Sequence, residues 1–362
     1  MLILYCFHLS SEKKFIRKLF LPKYIWILLL LAALSSVLFL FDILTGSVNI
    51  PFPDVYKAVF SEEALKPEWK TIITGFRIPK AFTAVLAGLA LSVSGLQMQT
   101  YFRNPLAGPY VLGISAGASL GVALLVMGIS ALFESTLMNP VSNWSLVFAA
   151  WIGAGLVLIL ILAVSVRVRD NMTILILGIL FGSITIALVS ILQYFSNESV
   201  LRSFIIWTLG SLGNVTGPQL RIMAISIGIG IMFSVLTVKR LNILQLGENY
   251  AITLGVNIPV SRFLIFLSTS ILAGTVTAFC GPIGFLGIAV PHITRLVLRT
   301  SDHMLLVPGS MLIGTAVMLF SDIVSQLPGY QQVLPINSVT AIIGIPVVIW
   351  IITRREKIVA PS

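Results

Sequence analysis

Ten times along this chain an apolar run approaches the length needed to cross a lipid bilayer. A helix needs about 20 consecutive apolar residues to span the hydrocarbon core. Runs of that kind fall at roughly 24–45, 81–101, 110–133, 144–166, 172–195, 220–238, 261–280, 285–298, 305–326 and 338–352. The eighth and tenth are short, and the eighth contains Pro291. Only 10% of the 362 residues are charged, whereas soluble domains carry about 25%. Residues 1–362 therefore read as one all-α polytopic membrane domain of about ten transmembrane helices.

Charge sets the expected orientation. With an even number of crossings both termini share a side, and 16 of the 23 Lys and Arg fall on that side. The positive-inside rule makes it cytoplasmic, with residues 1–23 as an inner N-terminal segment. The formal net charge of +10 is thus mostly a topology signal and does not point to nucleic acid. The first apolar run exceeds the 7–15 residues of a cleaved signal peptide, so it reads as an uncleaved helix. Cys6 and Cys280 lie in different settings and give no disulfide framework.

Two connections are long, an outer loop at 46–80 and an inner one at 239–262. Ile78-Pro79 precedes the second run and Ile258-Pro259 the seventh, on opposite sides of the membrane. Each is followed by a small-residue helix and a proline-bearing break, at Asn104-Pro105 and Gly281-Pro282. The echo predicts an inverted repeat of two five-helix halves, an arrangement common among transporters.

Residues 103–121, RNPLAGPYVLGISAGASLG, interrupt the apolar pattern with two prolines and then repeat glycine at 113, 117 and 121. Glycines at this spacing share one helix face and let two backbones approach closely. In lipid, irregular backbone survives only inside protein, beside water or at the interface. A stiff loop at the mouth of a tightly packed bundle is suited to gating.

The run RIPKAFTAVLAGLALSVSGLQMQTYFRNPLAGPYVLGISAGASLG (77–121) resembles the permease subunits of bacterial ABC importers for iron chelates and cobalamin, the FecCD type. The resemblance continues, in order, through WTLGSLGNVTG (207–217), LGENYAITLGV (246–256), GPIGFLGIAVPHITR (281–295) and LPINSVTAIIGIPVVIW (334–350). It implies a type II ABC importer permease in the bacterial plasma (inner) membrane, working as a homodimer with the path at the dimer interface. The implied partners are two cytoplasmic ABC ATPase subunits and an extracytoplasmic substrate-binding protein. The implied cargo is a ferric siderophore or a related iron chelate, haem or cobalamin. The chain has no G-x-x-x-x-G-K-[ST] phosphate loop and no Gly-Lys pair, so ATP and Mg²⁺ are expected on the ATPase and no cofactor on this chain.

The resemblance also assigns roles to residues. Glu248, Ala251, Leu254 and Gly255 fall in the segment that couples ATPase to permease, within the 239–262 loop. Glu248 to Leu254 can form a short helix with Gly255 as its C-terminal cap, Ala251 leaving a shallow surface and Leu254 an apolar knob. Asn104 and Leu106 match a cytoplasmic gate, with Asn171 and Met172, beside Asp170, in the second gating loop; Met172 departs from the small polar residue expected there. Gly178 and Gly182 would let the fifth helix slide. Arg77 and Lys80 match cations that dock the binding protein, where lysine lacks the bidentate fork of arginine. A further docking arginine is replaced by Gln326.

Asp42 and Asp322 are the carboxylates within or beside predicted spans, and intramembrane charge is by default a functional signal. Their places near outer helix ends favour solvated carboxylates, with Asp322 capping its helix. His8, His292 and His303 show no metal-ligand spacing with Cys, Asp or Glu, and no nucleophile has a neighbouring base. His292 reads as a structural histidine. The chain therefore reads as a transport subunit and not an enzyme, with an ion-coupled secondary transporter as the alternative.

Overall fold

The computed structural model describes residues 2–46, 48, 50–60, 66–128, 143–168, 170–326 and 333–359, and every regular element among them is helical. The chain runs through α1 (Leu2–Leu44), α2 (Phe52–Phe60), α3 (Pro67–Ile72), α4 (Ile78–Tyr101), α5 (Ile114–Ala123), α6 (Asn143–Ser165) and α7 (Asn171–Tyr194). It continues through α8 (Glu198–Thr208), α9 (Gly217–Leu244), α10 (Glu248–Thr253), α11 (Ile258–Cys280), α12 (Leu286–Leu298), α13 (His303–Ser325) and α14 (Ile336–Val359). Seven helices among the described residues are long and apolar enough to cross a membrane, and three shorter ones (Ile114–Gly128, Leu286–Leu298, Ile336–Trp350) are apolar. Each of the ten runs read from the sequence coincides with one of them.

The centre of the bundle is built from small residues. In the most apolar part of α4 and of α11, 78% of residues are buried, against 22% in α1, which places α4 and α11 inside and α1 at the periphery. Lipid tails give helices no hydrophobic reason to associate, so close backbone packing must hold them. A Cβ added to Gly88 on α4 would lie 2.4 Å from the carbonyl oxygen of Gly314 on α13, and one at Gly95 would lie 1.8 Å from that of Gly287 on α12. Only glycine fits at either crossing. Polar glue supplements the packing. Gln97 of α4 donates to Thr237 Oγ1 of α9 at 3.2 Å and accepts from Ser268 and Thr269 of α11 at 3.1 and 3.2 Å.

Two boundaries correct the sequence reading. The 46–80 connection is largely helical: α2 lies within it, and α3 runs into α4 through a π-helical turn, Ile73–Arg77. Pro79 cannot donate to the preceding turn. The wider π turn just before it absorbs the irregularity, so the helix passes through the residue expected to start it. At the other long connection α9 reaches Leu244 and α11 begins at Ile258, which shortens 239–262 to 245–257 with α10 inside it. Of residues 2–22, Cys6 and His8 among them, the backbone alone is described.

Candidate functional site

A groove of about 640 Å³ opens between α5, α7, α8 and the turn 282–285. Ser115, Ser119, Ser183, Ser190, Gln193, Thr208 and Asn337 supply its polar groups among a largely apolar lining, and no Lys, Arg, Asp or Glu is among its described lining residues. Backbone geometry shapes it. Gly113 adopts φ +70, which ends the short 3₁₀ turn Pro109–Leu112 and opens α5. The α7 backbone then closes on that turn, so a Cβ at Gly178 would lie 2.4 Å from the carbonyl oxygen of Val111. At the far wall Asn337 accepts from the Gly284 N–H at 2.9 Å, and the Tyr110 hydroxyl donates to the Ile283 carbonyl. Apolar side chains with a few weak hydrogen-bonding groups can accommodate a large solute without holding it ionically.

The glycine ladder lies behind this wall. Cβ atoms built at Gly117 and Gly121 would fall 2.6 Å from the carbonyl oxygen of Gly153 and 2.0 Å from that of Ala149, so α5 and α6 meet backbone to backbone. Gly182 sits near Gly113, with a built Cβ 3.7 Å from its Cα.

The RNPLAGP loop lies at the end of the bundle that carries α10. Arg103 turns the chain at φ +48, Asn104 N–H donates to the Gln99 carbonyl at 3.1 Å, and Leu106 N–H donates to Asn104 Oδ1 at 2.9 Å. From α12, His292 Nε2–H donates to the Pro105 carbonyl at 2.8 Å, which fixes the tautomer. Gln99 donates to the Ile288 carbonyl at 3.0 Å and accepts from Arg295 Nη1 at 2.6 Å. The loop is therefore stiff because every turn of it is bonded. The second predicted gating segment is brought beside it: Tyr101 donates to Asn171 Oδ1 at 2.8 Å, while Leu106 and Met172 are exposed. Asp170 caps α7 by accepting from Thr173 Oγ1 at 2.6 Å and Thr173 N–H at 2.8 Å, and these bonds hold its carboxyl below the usual range.

In α10, Leu254 is the C-cap and Gly255 follows at φ +81, the left-handed conformation that ends a helix. Leu246, Tyr250, Ile252 and Leu254 stand exposed, flanking the exposed Asn249 and Thr253 on the side away from the bundle. Ala251 corrects the sequence reading: it is wholly buried and contributes no surface, because α10 lies against the bundle on that side. Glu248 opens the helix, and a Cβ at Gly247 just before it would lie 3.5 Å from Arg103 Nη1. The predicted coupling segment thus comes close to the predicted gate loop.

At the opposite end the two predicted docking cations turn inward. Arg77 is 8% exposed, its Nη1 donating to the carbonyls of Ile43 at 3.0 Å and Leu44 at 3.1 Å and its Nη2 to that of Val48. It closes the unsatisfied carbonyl end of α1. Lys80 pairs with Asp322 at 2.9 Å. Gln326 donates to Asp42 at 3.0 Å and to Asp322 at 3.1 Å. Asp42 and Asp322 are both buried, which corrects the expectation of solvated carboxylates. Neither cation offers a free charge to a partner in this arrangement.

Two residues to which the sequence reading gave no role, Arg262 and His303, also tie the helices around the site together. Arg262, buried near the start of α11, donates through Nε to Tyr101 Oη at 2.6 Å. A lone arginine inside an apolar run was the available signal. His303 joins three helices, accepting at Nε2 from Thr100 at 2.8 Å and donating from Nδ1 to Asn242 Oδ1 at 2.7 Å. Among the described residues no cluster of three or more His, Cys, Asp or Glu could hold a metal ion.

A tightly packed bundle of apolar helices with an uncharged groove on one side, and a bonded loop beside a short exposed helix at one end, has the form of a multi-pass membrane transport protein. The model of the FecCD transport family matches residues 32–354, and the chain belongs to that family. It is 32% identical over 335 residues to the hemin transport system permease protein HmuU of Yersinia pestis, covering 92% of this chain and 95% of that one. It is 35% identical over 295 residues to the vitamin B12 import system permease protein BtuC of Klebsiella pneumoniae, covering 81% and 86%. Among solved structures, a metal-chelate type ABC transporter in an inward-facing conformation superposes with a TM-score of 0.75 at 26% identity, covering 91% of this chain and 99% of that one.

Proposed function

We propose that this chain is the transmembrane permease subunit of an ATP-driven, binding-protein-dependent ABC importer for a ferric siderophore or a related iron chelate, haem or cobalamin. Two copies pair so that the grooves between α5, α7 and α8 face one another and form the path, which opens alternately to either side of the bacterial plasma membrane. The ten apolar helices cross that membrane as two inverted five-helix halves, with both termini cytoplasmic. Two separate ATPase subunits dock on the exposed face of α10, and an outer binding protein delivers cargo at the opposite end. Because Arg77 and Lys80 are engaged internally, other groups at that end carry the docking.

The groove is the observation that carries this reading. Its uncharged, largely apolar wall, dotted with serines and two amides, suits a bulky chelate that must pass without being retained. The residues predicted to gate it lie at the end that carries α10, so a force applied to α10 acts where the path must open. The test is uptake by proteoliposomes containing the chain, its ATPase and its binding protein, with labelled ferric siderophore, haem and cobalamin offered in parallel. ATP-dependent accumulation of one of them is expected; accumulation of none would refute the reading.

A further inference from the structure

We propose that Arg262, Tyr101 and Asn171 form the relay through which displacement of α10 reaches the wall of the groove, an inference that rests on reading α10 as the ATPase contact. α10 is joined to α11 by four residues, and these are bonded back into it: Gly255 N–H to the Ile252 carbonyl and Val256 N–H to the Ala251 carbonyl, both at 2.9 Å. Asn257 then caps α11 by accepting from Val260 N–H at 3.1 Å. With no slack in this connection, α10 and the start of α11 move as one piece.

Arg262 stands on the second turn of α11. Its Nη1 donates to the carbonyls of Ser165 at 2.6 Å and Val168 at 2.9 Å, which close the negative end of α6. Its Nε donates to the Tyr101 hydroxyl, which donates its single proton to Asn171 Oδ1. The Asn171 amide also reaches back to the Tyr101 carbonyl at 3.4 Å. Arginine has donors only and a phenol has one proton, so the polarity of both bonds is fixed, Arg262 donating to Tyr101 and Tyr101 to Asn171. Asn171 is the first residue of α7, whose later turns carry Gly178, Gly182 and Ser183 in the groove wall.

Tyr101 is 2% exposed and Arg262 8%. If α11 shifted while α7 stayed, buried donors would lose their acceptors in a place water does not reach, a penalty well above that of a solvated bond. Following the shift is the cheaper response, so α7 moves with α11. Tyr101, Arg262 and Asn171 are positioning residues in this scheme. A packing role alone would be met by phenylalanine at 101, since the Tyr101 ring already contacts Phe102 and Phe266 edge to face with centroids 5.1 Å apart.

The test uses the full complex of permease, ATPase and binding protein in proteoliposomes, with Tyr101→Phe removing one oxygen and Arg262→Lys keeping the charge but losing the Nε donor. ATP hydrolysis is expected to persist in both variants while cargo moved per ATP falls by about fivefold or more, about fivefold corresponding to each hydrogen bond lost. An unchanged ratio in either assembled variant overturns the relay, as does a parallel fall of hydrolysis and uptake, which would mark a merely structural bond. Should Tyr101→Phe fail to assemble, Arg262→Lys alone decides by the same ratio. A wild-type complex that moves no cargo would instead speak against the proposed function.

Discussion

The ammonium of Lys80 and the carboxylate of Asp322 meet at 2.9 Å between α4 and α13, and Asp322 is 2% exposed there. Gln326 bridges the same carboxylate to Asp42 on α1, so three helices are joined at one polar point. Removing one member of a buried pair strands the other charge. Lys80→Met is therefore expected to lower stability by about 2 kcal/mol, less than for a fully buried pair because Lys80 retains some exposure. Adding Asp322→Asn should recover most of that loss. Thermal unfolding in detergent of the two single variants and the double variant checks this. Additive losses would show that the pair is not coupled.

Arg77 closes α1 by donating to the carbonyls of Ile43 and Leu44 at its end and to that of Val48 in the segment beyond it. Arg77→Gln should destabilise the protein by about 2–3 kcal/mol, since bonds to a charged donor are worth more than neutral ones. Among correctly folded molecules, stimulation of the ATPase by the binding protein should be unchanged. Titrating the binding protein against the purified variant complex separates the two effects; a weakened half-maximal concentration with normal stability would restore the docking role.

Gly153 and Gly155 lie on the same helix two residues apart and meet different surroundings. A Cβ at Gly153 would lie 2.0 Å from the carbonyl oxygen of Gly117, whereas nothing stands within 4 Å of one at Gly155. Gly153→Ala should force α5 and α6 apart and cost about 1–3 kcal/mol, as overpacking does. Gly155→Ala should be neutral or stabilising by up to about 1 kcal/mol through helix propensity. Unfolding midpoints of the two variants, measured side by side, check the contrast.

Gly255 sits in open space, so its constraint is conformational and not steric. At φ +81 a β-branched residue is strained by about 1–2 kcal/mol, while asparagine tolerates the region. Gly255→Val should therefore reduce cargo moved per ATP, and Gly255→Asn should leave it near wild type. Paired uptake and hydrolysis assays distinguish them.

The helices were legible in the sequence because lipid demands length and apolarity together, and both survive in a single window of residues. The close approach at Gly117 and Gly121 was legible for the same reason, since a four-residue spacing is local, but Gly113 is the left-handed start of α5 facing α7, and the crossings at Gly88 and Gly95 were not read. What escaped depends on contacts between distant segments. Arg262 and Tyr101 are 161 residues apart, and Arg262 reads in isolation as one more inner-face cation. Lys80 and Arg77 read as outward charges until α1 and α13 supply the acceptors that turn them inward. Ala251 reads as surface because nothing in six residues reveals which side of a short helix the bundle covers. Pro79 misled differently: proline commonly starts a helix, and the π turn that carries α3 into α4 has no sequence mark of its own.

The central claim is that this chain opens only when a partner's nucleotide cycle pushes on α10. The most direct measurement is uptake of labelled iron chelate into proteoliposomes holding this chain with its binding protein, with and without the ATPase, at fixed ion gradients. Accumulation that requires both the ATPase and hydrolysable ATP is the predicted result. Accumulation of equal size by the chain without any ATPase, driven by an ion gradient, would contradict it.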